Sequence, residues 1–154
     1  MSKPVLLIDV DGVLCPYFPG EPEPGYVRLP VGPVGVWINP THGEWLRRLV
    51  DTFDLVWATT WEHEAAEVLA PALGLPHMPV IEFTHGAANK TWKIADIDEY
   101  LGDRSAAWLD DELGPDADVW AETRHGRMLL VRVDGTIGLT EEHVNDLMAF
   151  ADHA

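Results

Sequence analysis

The chain has 154 residues, 47% hydrophobic and 23% charged, with 26 acidic side chains against 10 Lys plus Arg and a formal charge of −16. That length fits one domain with a single sizeable core. The charge repels phosphate backbones and anionic lipid, so general nucleic-acid or membrane-surface binding is disfavoured, and Cys15, the single cysteine, rules out an intrachain disulfide.

From the N-terminus, Val5, Leu6, Leu7 and Ile8 form a continuous apolar run that Asp9 stops. Such a run suits a strand buried on both faces. It is too short for a signal-peptide core or a membrane span, which points to a cytoplasmic protein. Residues 15–41 are dense in proline and glycine, including Glu21-Pro22-Glu23-Pro24-Gly25, and are expected as a loop or flap with 34–38 the candidate short strand.

A helix is expected over 43–52, capped by Thr41, with Trp45, Leu46, Leu49 and Val50 on one face. A second buried strand, 55–59, runs into Thr60-Trp61. Residues 62–73 read as a helix closed by Gly74 and Pro76, 79–83 as a third strand, and 90–101 as an amphipathic helix ended by Gly102. A short strand, 106–109, ends at Asp110-Asp111; another, 128–133, precedes an Asp134-Gly135 turn. Thr140 caps a last helix reaching about residue 151, with Val144, Leu147, Met148 and Ala151 as its apolar stripe.

Strands alternating with helices imply right-handed crossovers and a mainly parallel sheet. The expected fold is α/β, a Rossmann-like three-layer sandwich forming one domain over 1–154. Ligands of such sheets sit at the carboxyl ends of the strands. Three expected strands end in Asp9, Thr59 and Asp110, so their chemistry converges on one edge.

In Asp9-Val10-Asp11-Gly12-Val13, one carboxylate can attack phosphorus and a second can protonate the leaving oxygen and later activate water. Asp9 suits the first role and Asp11 the second. A carboxylate and a phosphate repel each other in a low-dielectric site, and magnesium, which favours hard oxygen ligands, would bring them together. Asp110 and Asp111 offer the remaining carboxylates. Thr59 or Thr60 can donate a hydroxyl to a phosphate oxygen. Lys90, at the start of an expected helix, is poorly matched to the helix dipole, which makes sense if it faces an anion. Lys93, one turn on, reads as a solvated surface lysine.

A calcium loop counted from Asp9 fails, because Leu14 stands where glycine is needed and Gly20 where glutamate is needed. The histidines, His42, His63, His85 and His125 among them, show no zinc spacing. Trp45, Trp57 and Trp108 read as core, whereas Trp61 follows the second motif and is a candidate to line the site.

The order Asp-x-Asp-Gly-Val, an apolar strand ending in Thr, a Lys, then an apolar strand ending in Asp-Asp resembles the haloacid dehalogenase (HAD) superfamily, over residues 5–111. A fainter similarity, through Trp57-Ala58-Thr59-Thr60-Trp61 and Trp108-Leu109-Asp110-Asp111-Glu112, is to HAD domains associated with RNA repair. The resemblance implies a phosphatase acting through an aspartyl-phosphate, with Asp9 as nucleophile and magnesium ligand and Asp11 as general acid/base binding the metal through its backbone carbonyl. It implies Thr59 and Lys90 on the phosphoryl group, with Thr60 and Gly12 beside it, and Asp110 and Asp111 anchoring Mg2+. Family spacing favours Thr59 over Thr60. The 15–41 stretch is too small for a helical cap, so a nearly capless member is expected. An open site suits a large phosphorylated substrate, while the charge disfavours nucleic acid in that role.

Overall fold

A computed structural model describes residues 2–84 and 92–153. In chain order its elements are β1 (Val5–Ile8), β2 (Val27–Leu29), β3 (Val36–Ile38), α1 (Pro40–Leu49), β4 (Asp54–Trp57) and a π-helical segment Ala65–Leu69 continued by α2 (Ala70–Ala72). There follow α3 (Ile94–Leu101), β5 (Ala106–Asp110), α4 (Pro115–Thr123), β6 (Met128–Arg132) and α5 (Glu141–Asp152). Among the described residues no helix is long and apolar enough to cross a membrane.

The expected parallel sheet is present, in the order β4-β1-β5-β6, with every neighbouring pair parallel. Its centre is β1, whose four residues are fully buried. Alternate side chains of a strand point to opposite faces, so Leu6 and Ile8 join Leu46, Leu49, Phe53, Leu147 and Phe150 on one side. Val5 and Leu7 join Val56, Ile97, Trp108 and Ala117 on the other. Both faces of β1 are covered by helices, which is why the run could not alternate with polar residues. Burying each such side chain contributes about 1.5–3 kcal/mol. The fold is α/β and Rossmann-like, with no large cap among the described residues.

Several boundaries differ from expectation. Helix α1 starts at Pro40, not residue 43, and its cap is Asn39 rather than Thr41: Asn39 Oδ1 accepts from the Thr41 N–H at 3.0 Å. Pro40 in the first turn lacks an N–H that would otherwise go unpaired. Residues 62–73 do not form a regular α-helix, because Pro71 removes an i→i−4 bond and the segment widens into a π-turn ahead of it. The third strand reduces to a single bridge, Trp57 to Val80, beside a proline that has no donor for a ladder. Helix α4 was not anticipated, although Gly114-Pro115-Asp116 carries its start signals: proline in the first turn and acids at the positive end of the dipole.

Within residues 15–41 the hairpin β2–β3 pairs antiparallel, Val27 opposite Ile38. The segment is pinned to the loop after β6: Tyr17 N–H donates to the Gly135 carbonyl at 2.8 Å, and the Tyr26 hydroxyl to the Ile137 carbonyl at 3.4 Å. Tyr26 stacks edge-on against Phe18 and His42, with centroids 4.9 and 5.7 Å away.

His42 is 1% exposed; its Nε2 lies 3.0 Å from the Leu139 carbonyl, while Nδ1 is buried with no partner among the described residues. A charged ring would leave Nδ1–H without an acceptor, and burial pushes His42 down to about 4, the Leu139 carbonyl acting the other way. A folded-state value below the ordinary 6.5 means that the unfolded chain takes up the proton first. The stability held by neutral His42 is therefore whole above about pH 6.5 and drains away as pH falls towards about 4, by about 3 kcal/mol. Unfolding free energies should show the gap between wild type and His42→Gln narrowing over that window. A gap independent of pH would refute this account.

Candidate functional site

The C-terminal ends of β1, β4 and β5 meet at one cleft. After β1 the chain enters Asp9, 6% exposed, whose N–H still bonds to the Leu109 carbonyl at 3.1 Å. It then turns tightly: the N–H groups of Val13, Leu14 and Cys15 all converge on the Val10 carbonyl. Gly12 adopts φ +80°, and a Cβ there would lie 2.1 Å from Asp111 Oδ2. Only glycine satisfies both the conformation and the space. Its N–H is already committed to the Cys15 carbonyl at 2.9 Å. Gly12 was expected to bind substrate; it has no free donor and instead makes room for Asp111. Gly135, in the turn after β6, does the same, since a Cβ there would stand 2.8 Å from the same oxygen.

At the end of β5, Asp110 is 3% exposed. Its Oδ1 accepts from the Glu112 N–H at 2.9 Å and its Oδ2 from Lys93 Nζ at 2.8 Å. Lys93 overturns an expectation. It is buried, not solvated, and its ammonium also reaches Asp9 Oδ1 at 3.1 Å and the Ala58 carbonyl at 2.9 Å. Three donors thus meet three acceptors, one from each of three strand ends. Burial works against its charge, but Asp9 and Asp110 more than offset this and hold the ammonium above its ordinary range. The dipole argument applied to Lys90 fits Lys93 equally, as it stands at the N-cap of α3. Lys90 lies outside the described residues.

The acids outnumber the cation. Burial, above all, pushes Asp9 up to about 8; Lys93 pulls against that shift and Asp110 adds to it. Burial and then the Asp110 charge push the half-buried Asp111 up to about 6. Oxygens of Asp9, Asp110 and Asp111 lie within 4.8 Å of one another. Three converging carboxylates with one shared ammonium, and two glycines clearing the space around Asp111, fit a hard divalent cation.

The Asp11 carboxylate stands apart from this trio. Its Oδ1 accepts from the Trp61 indole Nε1–H at 3.1 Å. The Trp61 backbone N–H in turn donates to Thr59 Oγ1 at 3.2 Å. Thr59 is fully buried just beyond β4, whereas Thr60 is exposed and lines the cleft. The cleft has a volume of about 180 Å³, with Tyr17 from the flap and Trp92 among its walls. His63 lies away from it, near Glu82 at 3.5 Å on the surface. No sequence motif singles out Tyr17, whose position depends on the folding of the flap.

Chemically, the cleft offers a buried carboxylate at a strand end, a second carboxylate oriented by an indole, a cation-binding set of acids and a hydroxyl at the mouth. A protein-family model described as HAD domain in Swiss Army Knife RNA repair proteins matches residues 5–144, which span all of these groups. No curated protein and no solved structure matches the chain.

Proposed function

Because the chain belongs to the family of HAD domains in Swiss Army Knife RNA repair proteins, it is a HAD-type hydrolase, and we propose that it cleaves a phosphomonoester through an aspartyl-phosphate on Asp9. The observation that carries this reading is the convergence of Asp9, Asp110, Asp111 and Lys93 at the ends of parallel strands. Asp9, Asp110 and Asp111 would hold Mg2+, with the backbone carbonyl of Asp11. That ion, when bound, supplies the positive charge that lets a carboxylate approach a phosphate.

Asp9 Oδ attacks phosphorus, and the bond from phosphorus to the leaving oxygen breaks as Asp11 delivers its proton to that oxygen. Asp11, now ionised, takes a proton from a water that attacks the aspartyl-phosphate; phosphate leaves and Asp9 is restored. Lys93 holds the Asp9 carboxylate in place through their ion pair at 3.1 Å. The hydroxyl of Thr60, in the cleft wall, donates to a phosphoryl oxygen, whereas the fully buried Thr59 was expected on the phosphoryl group and instead accepts from the Trp61 N–H, fixing the turn that carries Thr60.

The purified chain should hydrolyse p-nitrophenyl phosphate in millimolar Mg2+, lose the activity in EDTA and regain it when magnesium is restored. Turnover indifferent to EDTA would refute the metal requirement. Metal binding without turnover across a broad panel of phosphomonoesters would instead identify an idle, metal-holding domain.

Processing of phosphorylated nucleic-acid ends is a second reading, favoured by the family description and by the cleft that no large cap covers. The charge of −16 opposes it. Terminally phosphorylated oligoribonucleotides should then inhibit p-nitrophenyl phosphate hydrolysis at low salt; no inhibition there removes this reading. A cytoplasmic setting goes with either substrate.

A further inference from the structure

We propose that Trp61 is the positioning residue for the general acid, fixing which oxygen of Asp11 carries the proton to the leaving group. The inference rests on the proposed phosphatase chemistry but concerns a residue outside the acids and lysine that define it. The indole Nε1–H is a donor only, and it points at Asp11 Oδ1 at 3.1 Å. A carboxyl oxygen that accepts this bond is a poor place for the acidic hydrogen, which would then face the indole N–H. Oδ2 is thereby left as the oxygen free to pass a proton to the leaving group, and the carboxyl plane is held by a rigid, half-buried ring rather than by solvent.

The backbone around Trp61 is built for this placement. Its N–H is tied to Thr59 Oγ1 at 3.2 Å, so the second motif is linked directly to the first. The next residue, Glu62, has φ +49°, the only positive value at a non-glycine residue among those described. Left-handed backbone is unfavourable for a residue with a Cβ. Here it is held in place, since Glu62 Oε2 accepts from the Phe83 N–H at 3.2 Å. The turn thus accepts strain at the point where the chain must double back with the indole over Asp11.

A residue acting through the general acid leaves a specific kinetic trace. Phenyl and p-nitrophenyl phosphates have nearly the same shape, but phenolate is the poorer leaving group and needs its proton more. In Trp61→Phe, kcat/KM for phenyl phosphate should fall about tenfold, and for p-nitrophenyl phosphate less than about twofold. In an Asp11→Asn background, which has no acid left to orient, Trp61→Phe should cause no further change in the ratio of the two substrates. Equal losses on both substrates, or an undiminished effect of Trp61→Phe on that ratio when Asp11→Asn is present, would overturn the assignment. The phosphatase reading has its own arm: Asp9→Asn retaining wild-type turnover would overturn that reading, whatever Trp61 does. A urea midpoint for Trp61→Phe separates a folding defect from a kinetic one.

Discussion

Asp9→Asn is expected to lower kcat for p-nitrophenyl phosphate by at least about a thousandfold while leaving the fold intact. An amide oxygen cannot form the acyl phosphate, so the covalent route closes. The fold should tolerate the change because burial pushes the Asp9 carboxyl up to about 8, so the ionised form is costly inside the fold and losing that charge is tolerated. The amide is then close to isosteric with the group it replaces, and its oxygen can still accept from Lys93. Urea denaturation in EDTA should put the two proteins within about 1 kcal/mol of each other. Equal turnover in wild type and Asp9→Asn would remove Asp9 as nucleophile.

Lys93→Met should have the largest effect on stability. The substitution fills the space and keeps the apolar stem, but leaves Asp9 and Asp110, 6% and 3% exposed, facing each other without a cation. Removing one partner of a buried ion pair costs about 3–5 kcal/mol, and here the Ala58 carbonyl loses its donor as well. Saturating Mg2+ should restore part of the loss, because an ion held only by the folded carboxylates adds its binding energy to folding. A loss below about 1 kcal/mol in EDTA would show that the three strand ends do not depend on this ammonium. Activity should fall with it, since Asp9 would no longer be held in place.

These two residues also mark how far the sequence could be read. The parallel sheet was legible because its central strand is buried on both faces and so lost its polar alternation. Asp9 and Asp110 stood out as carboxylates ending such runs, where core packing has no use for them. Lys93 did not stand out. Lys90 and Lys93 lie one turn apart before the same apolar helix, and only the packing of α3 against the ends of β4 and β5 buries the second one. The indole bond to Asp11 was hidden for a related reason: it spans 50 positions and relies on a left-handed residue that no local pattern announces. Helix α4, by contrast, carried ordinary start signals and was overlooked because its apolar stripe is weak, with Ala117 its buried residue. The glycines at 12 and 135 looked like turn residues, and so they are, but both also stand clear of one carboxylate oxygen.

With all three of its hydrogens bound inside the protein, the Lys93 side chain has none left to extend to a visitor. Among the described residues of a chain of formal charge −16, the one buried ammonium braces the framework itself, so within that set an incoming anion meets no free ammonium in the cleft. Capture of the substrate would then fall to an ion held by these acids. Affinity for phosphate should follow the supply of that ion, so the same protein is inhospitable to its substrate when starved of metal and receptive when supplied with it.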